Sequence, residues 1–331
     1  MSHYAWCEEK RITLKRRGKK ICILGAGNVG STIAYTLTLE GMASEIVLID
    51  LNFEKAKGEA MDIVQGTAFC PPVDIHAGDY ESAEGSDIVI VTVGQARKPG
   101  QTRIDLAQNN VDVIKSIIPK IVKYAPDAVY VVVSNPVDIL TYAMIKLSGI
   151  PEHQIIGTGT MLDSARLRTS LADHVNMSPQ SVHAYVFGEH GDSSMIPWSL
   201  TSIAGMNMTQ YCEHVCSQHN QCGKVDLKGI YEDVKTSGSK VIAQKGATYY
   251  AIALSVKRVC ETILCGADGV LTVSSMLNGQ YGIHDVCLSL PFVVGSHGIK
   301  RELEPPLLPL ELEQLNASVA ALKDVISKID L

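Results

Sequence analysis

No stretch of the 331-residue chain approaches the ~18 consecutive apolar residues that a membrane-spanning helix needs. Nor does an apolar segment follow the basic N-terminal residues, as a secretory leader requires. The run from Lys10 to Lys20 leads straight into a strand-like stretch, so a cytoplasmic location and no membrane partner are expected. An excess of positive charge is also missing. The 29 Lys and Arg stand against 35 Asp and Glu, a net charge of -6, which speaks against an electrostatic nucleic-acid binder. Lys10, Arg11, Lys15, Arg16, Arg17, Lys19 and Lys20 therefore read as a solvated basic arm over residues 1–18 and its junction with the first strand. The nine cysteines are odd in number and contain no Cys-x-x-Cys pair, so reduced thiols are expected instead of a disulfide framework. Their one cluster, "YCEHVCSQHNQC", offers Cys212, His214, Cys216, His219 and Cys222 as soft ligands. Its spacing is looser than the paired knuckles of structural zinc, so it reads as a surface loop with no metal. Internal repeats, low-complexity tracts and a Pro/Ser linker are absent as well.

What the chain has is a large apolar fraction, 46%, arranged in short runs. From residue 19, "KKICILG", "EIVLID", "SDIVIVTVG" and "AVYVVVSNP" alternate with helix-period stretches such as "VGSTIAYTLTLEG" and "FEKAKGEAMDIVQG". Near-continuous apolar strands separated by helices predict a parallel sheet covered on both faces, a doubly wound α/β domain over residues 19–148. Residues 149–331 read differently. "VHAYVFGEHG" and "GVLTVSSMLNGQYG" predict antiparallel strands, and helical tracts at about 225–264 and 310–329 complete a mixed α+β domain. The cleft between the two halves is the expected ligand site.

"GAGNVG" fits G-x-G-x-x-G through Gly25, Gly27 and Gly30, after a predicted strand and at the start of a predicted helix. Gly25 suits the tight turn, Gly27 lets a pyrophosphate reach the backbone, and Gly30 lets helix and strand pack closely. Asn28 and Val29 lie between them at the helix N-terminus, where phosphates bind. Asp50 ends the next strand, twenty residues beyond Gly30, where a carboxylate accepts hydrogen bonds from ribose hydroxyls and repels a 2'-phosphate. NAD is the cofactor this pairing points to.

Two further segments look chemical. "GEHGD" places His190 among glycines and acids, where an imidazole exchanges a proton near neutral pH. "MLDSARLR" places Asp163 and Arg166 three residues apart on one helix face. A carboxylate there fixes an imidazole tautomer and a guanidinium fork holds a carboxylate, although the same spacing also suits a plain surface ion pair. The loop "GQARKPGQTR", residues 94–103, carries three cations around Pro99 and Gly100 after an apolar strand.

Over its whole length after residue 18 the sequence resembles the lactate and malate dehydrogenase family, most closely its bacterial L-lactate branch. "GAGNVGS", "KPGQTR", "VSNPVD", "DSARLR" and "GEHGDS" carry the resemblance, in the family's order. It implies NADH-dependent reduction of pyruvate to L-lactate, a step of glycolysis and fermentation, with His190 as acid/base, Asp163 its partner and Arg166 the substrate-carboxylate clamp. It implies further that Arg103 polarises the carbonyl from a loop that closes over residues 94–110, that Asn135 touches nicotinamide and substrate, and that Thr248 lines the pocket. Arg97 departs from the L-lactate pattern. An Arg closing over a methyl group loses hydration without gaining a partner, whereas a second carboxylate would pair with it, so oxaloacetate and malate remain the alternative. Arg168 lies two residues past Arg166, about 200° around a helix, and points elsewhere. With His183 it matches the family's fructose 1,6-bisphosphate site across a subunit interface, which implies an allosteric homotetramer; a surface Arg and an edge His are the plainer reading. A non-catalytic NAD-binding sensor is the alternative of another class, disfavoured because His190, Asp163, Arg166 and Arg103 are all present.

Overall fold

The computed structural model describes residues 18–95, 100, 102–216 and 225–331. Six strands form its parallel core: β1 (Lys20–Leu24), β2 (Glu45–Ile49), β3 (Asp74–Ala77), β4 (Ile88–Val91), β5 (Val129–Val132) and β6 (Ile155–Gly157). Their order in the sheet is β3-β2-β1-β4-β5-β6, with every neighbouring pair parallel. All four residues of β4 and of β5 are buried, because helices cover both faces and leave no position for a polar alternation. Those helices are α1 (Asn28–Leu39), α2 (Phe53–Gln65), α3 (Arg103–Tyr124) and α4 (Val137–Ser148). The doubly wound architecture expected from the sequence is therefore present, and its parallel part runs beyond residue 148 to β6.

Local sequence sets the helix ends. Asn52 caps α2 by accepting from the Lys55 amide, and Thr102 and Asp105 form a reciprocal capping box at the start of α3. Gly149, in the left-handed region at φ 71°, ends α4. The chain order reverses between β1 and β4, which start connections in opposite directions and open a crevice at their carboxyl ends. Gly25 sits in that crevice at φ 99°, a conformation that costs a residue with a Cβ.

After β6 come α5 (Met161–Val175), a small antiparallel sheet of β7 (Val182–His183), β8 (Ser202–Ile203) and β9 (Met206–Asn207), and the single turn α6 (Met208–Tyr211). Then follow α7 (Leu227–Lys245), α8 (Tyr250–Cys265), the antiparallel strands β10 (Gly269–Asn278), β11 (His284–Gly295) and β12 (Gly298–Glu302), and α9 (Pro309–Ile326). The helical tract expected at 225–264 is thus two helices, broken at Gly246, whose φ is 84°. β10 pairs with β6 through Ser274 and Gly157, so the antiparallel strands extend the parallel sheet to nine strands. A second core of Leu167, Leu171, Val182, Val186, Ile196 and Ile203 fills the space under α5.

The strand expected along "VHAYVFGEHG" needs correction. Only Val182 and His183 form a regular strand, and Phe187 and Gly188 make isolated bridges to Met195 and Ser289. Side chains replace the ladder: the Val186 N–H donates to Ser164 Oγ at 2.9 Å, and the Glu189 N–H donates to Ser318 Oγ at 2.7 Å. A buried backbone satisfied by hydroxyls has no need of a neighbouring strand.

A Cβ at Gly30 would collide with the Gly25 carbonyl oxygen. Gly30→Ala is expected to lower stability by about 1–3 kcal/mol, the usual range for overpacking, and to weaken NADH binding. Thermal unfolding and cofactor fluorescence titration check this.

Candidate active site

The cofactor cradle is built by β1, α1 and β2. α1 begins at Asn28 with Gly27 as its N-cap and no side-chain cap, so its first amides have no acceptor within the helix. A Cβ at Gly27 would meet nothing within 4 Å, which leaves the approach to those amides open. Asn28 is exposed and Val29 half-buried beside them. Asp50 follows β2, with one carboxylate oxygen taking the Ala26 N–H at 2.7 Å and the other the Asn52 N–H at 2.8 Å. A carboxylate has about four lone-pair sites, so capacity for ribose hydroxyls remains. This arrangement fits a dinucleotide.

The second cluster lies where α5 meets the segment after Gly188. Asp163, in the first turn of α5, is buried. One of its oxygens accepts from Arg166 Nη1 at 2.9 Å and the other contacts His190 Nδ1 at 2.6 Å. The Asp163–Arg166 spacing is an ion pair, but one engaged with the imidazole and not a surface pair: the two side chains are 10% and 17% exposed. The Asp163 charge holds the His190 pKa well above its ordinary value, at about 9, against the opposing effect of burial. Burial pushes the Asp163 carboxyl up, but His190 and Arg166 together outweigh it and keep it ionised below the usual carboxylate range. His190 Nε2 is the ring nitrogen left for a substrate. A protonated imidazole with a fixed Nδ1 partner is a proton donor waiting for an acceptor.

His190, Asn135, Arg103 and Glu189 line one cavity of about 180 Å³, closed on another side by Leu322 and Val325 of α9. That volume suits a small acid. Arg103, the first residue of α3, gives its guanidinium to Glu189 and Asp192. Asn135 follows β5, and its carbonyl accepts from Asn110 Nδ2 of α3 at 2.6 Å. Arg166 and Thr248 are not among the cavity's lining residues. Arg166 instead faces α7, where a Cβ at Gly238 would stand 3.5 Å from its guanidinium, and Thr248 is half-buried in the link between α7 and α8. Arg97 lies outside the described residues. Arg168 points away from the cluster, its Nε and Nη2 donating to the Pro179 carbonyl, and His183 is exposed on β7. Among the described residues no three His, Cys, Asp or Glu side chains are grouped to hold a metal ion; His219 and Cys222 fall outside them.

Two carboxylates escaped the sequence reading. Asp138, in the first turn of α4, accepts the His190 backbone N–H at 2.8 Å and is buried. Burial raises its pKa to about 6 even though Ser274 and the His190 amide favour the anion. Asp138 Oδ1 and the Ser274 hydroxyl are both buried without a hydrogen-bond partner. Glu189 is the other, buried beside Arg103. Both stand in motifs the sequence exposed, "SNPVD" and "GEHGDS", where an acid three residues after Asn135 and one directly before His190 are the only signals.

A dinucleotide cradle at the switch point of a doubly wound sheet, joined to a carboxylate–imidazole pair on a small polar cavity, defines a nicotinamide-dependent oxidoreductase. Comparison with known proteins narrows the class. Residues 19–157 match the lactate/malate dehydrogenase NAD binding domain and residues 160–330 the alpha/beta C-terminal domain of the same family. The chain belongs to the lactate/malate dehydrogenase family, and its cofactor is NAD. It is 49% identical over 314 residues to L-lactate dehydrogenase 1 of Clostridium acetobutylicum, covering 95% of this chain and 99% of that protein. With the L-lactate dehydrogenase of Acetivibrio thermocellus the identity is 50% over 315 residues, covering 95% and 98%. The ligand-bound crystal structure of the minor L-lactate dehydrogenase of Enterococcus mundtii superposes with a TM-score of 0.90 at 38% identity, covering 95% of this chain and 99% of that one.

The ion pair sets a pH dependence of stability. His190 has a raised folded-state pKa, so its contribution is complete below the ordinary imidazole value and disappears as pH rises through about 9. Asp163 is lowered, so its contribution is lost in acid. The difference in unfolding free energy between the wild type and Asp163→Asn is therefore expected to peak at roughly pH 4 to 6.5 and to shrink towards pH 9. Denaturant titrations across that range measure it.

Proposed function

We propose that the chain is a cytoplasmic L-lactate dehydrogenase that reduces pyruvate reversibly, with His190 as acid/base, Asp163 orienting it, Arg103 facing the reacting oxygen, and Arg166, bonded to Asp163 just outside the cavity's lining, turning to clamp the substrate carboxylate. The observation that carries the reading is the Asp163–His190 contact of 2.6 Å on the cavity shared with Asn135 and Arg103. When bound, the nicotinamide supplies a hydride. His190, protonated at neutral pH by the pull of Asp163, gives its Nε2 proton to the carbonyl oxygen, and in the opposite direction the neutral ring removes the hydroxyl proton. Arg103 stabilises the negative charge that develops on that oxygen. The apolar side of the cavity, Leu322 and Val325, limits water around the reacting carbon.

A second reading, oxaloacetate to malate, draws on Arg97 alone, because a cation facing the substituent on C3 favours a second carboxylate. The names of the relatives favour pyruvate. We further propose a homotetramer activated by fructose 1,6-bisphosphate at Arg168 and His183. Support for self-association comes from the neighbouring helices α1, α2 and α8, which expose Tyr35, Met61, Tyr250 and Leu254.

NADH oxidation with pyruvate and oxaloacetate side by side, with and without fructose 1,6-bisphosphate, tests this directly. Pyruvate is expected to give the higher kcat/KM. A preference for oxaloacetate beyond about tenfold would overturn the substrate assignment, and Arg97→Gln is expected to move the ratio further towards pyruvate. His190→Gln is expected to lower kcat by about 10²–10⁴, the range for general acid–base catalysis, while leaving NADH binding intact. Cofactor binding without turnover on either acid in the wild type would mark the chain as a sensor.

A further inference from the structure

Glu189 and Asp192, which flank His190 in sequence, both reach Arg103. Arg103 Nη2 reaches Glu189 Oε1 at 2.6 Å and Nη1 reaches Asp192 Oδ2 at 3.2 Å. The two acids differ: the Asp192 side chain is 86% exposed, the Glu189 side chain 8%. An exposed pair holds little, whereas a buried carboxylate that loses its cation is heavily penalised. Glu189 is itself fixed from behind. Its second oxygen accepts from the Ser193 hydroxyl, which lies 3.1 Å from the Ser318 hydroxyl of α9, and Ser318 Oγ in turn accepts the Glu189 N–H. Gly191 borders the pair: a methyl group there would stand 2.9 Å from Arg103 Nη2 and 3.0 Å from the Glu189 carboxylate and would press on both.

We propose that Glu189 is a positioning residue for Arg103, holding the guanidinium on the wall of the His190 cavity so that the cation is in place before charge develops on the substrate oxygen. The inference rests on the role assigned to Arg103 above. A donor fixed in advance needs no reorganisation during the reaction, and displacement of a reacting group by ~1 Å costs up to ~10²-fold in rate.

A double-mutant cycle decides it: steady-state pyruvate reduction at saturating NADH by the wild type, Glu189→Gln, Arg103→Gln and the double variant, with thermal unfolding and NADH binding measured on each. Glu189→Gln is expected to lower kcat about tenfold or more with the pyruvate KM within about threefold, and to lower it less than about twofold when Arg103 is already Gln. An equal loss in both backgrounds, or no loss in the first, would overturn the proposal while leaving the dehydrogenase reading intact. A wild type that reduces neither pyruvate nor oxaloacetate would sink both. If Glu189→Gln does not fold, Ser193→Ala, which frees the same carboxylate, goes through the identical cycle and decides on the same criteria.

Discussion

One part-buried contact, Asp163 Oδ2 to His190 Nδ1, organises the C-terminal half of this protein. It joins a helix that starts after the last parallel strand to an irregular segment that no ladder holds in place. Carrying an imidazolium and a carboxylate out of water is costly unless each finds the other in good geometry with its remaining polar atoms satisfied. Arg166 satisfies the second Asp163 oxygen, and Asp138 anchors the His190 backbone from the opposite side. The segment after Gly188 is therefore placed by charge and by hydroxyl groups, where ordinary strand pairing would have placed a more regular chain.

The sheet explains why these groups meet. Each of β4, β5 and β6 delivers its following residues to the same edge: Gly94 and Gln95 after β4, Asn135 and Asp138 after β5, Asp163 and Arg166 after β6. Asn110 of α3, itself buried, ties two of these exits together by bonding Gln95 and the Asn135 carbonyl. The cofactor cradle after β1 lies at the same carboxyl edge, next to β4 across the switch point. A parallel sheet has all its strand ends of one kind on one side, so chemistry encoded at distant positions in the chain converges at one edge.

Much of this was readable from residue order. Gly25, Gly27 and Gly30 have a fixed spacing because a tight turn, a phosphate approach and a helix contact each forbid a side chain at a fixed place. Asp163 and Arg166 share a face because helical periodicity is local. Burial is not local, and it separates Asp163 from a surface ion pair and makes Asp138 and Glu189 matter. Neither carboxylate stands out in sequence, since Asp138 is tied to His190 fifty-two residues away and Arg103 to Glu189 eighty-six residues away. The strand expected after residue 181 failed for a related reason: Ser164 and Ser318, remote in sequence, supply the partners that a strand would have supplied. The cation at Arg97, on which the choice between pyruvate and oxaloacetate turns, lies outside the described residues.

Proton transfer at this site requires the Asp163 charge to hold a proton on His190 through neutral pH. Nitrogen-15 NMR titration of the His190 ring in the substrate-free protein, with and without Asp163→Asn, reads that directly. The wild-type ring is expected to remain an imidazolium past neutrality and to titrate near pH 9, with the variant falling towards the ordinary imidazole value of about 6.5. A wild-type ring that is already neutral at pH 7, or one whose titration is indifferent to the loss of the Asp163 charge, would contradict it.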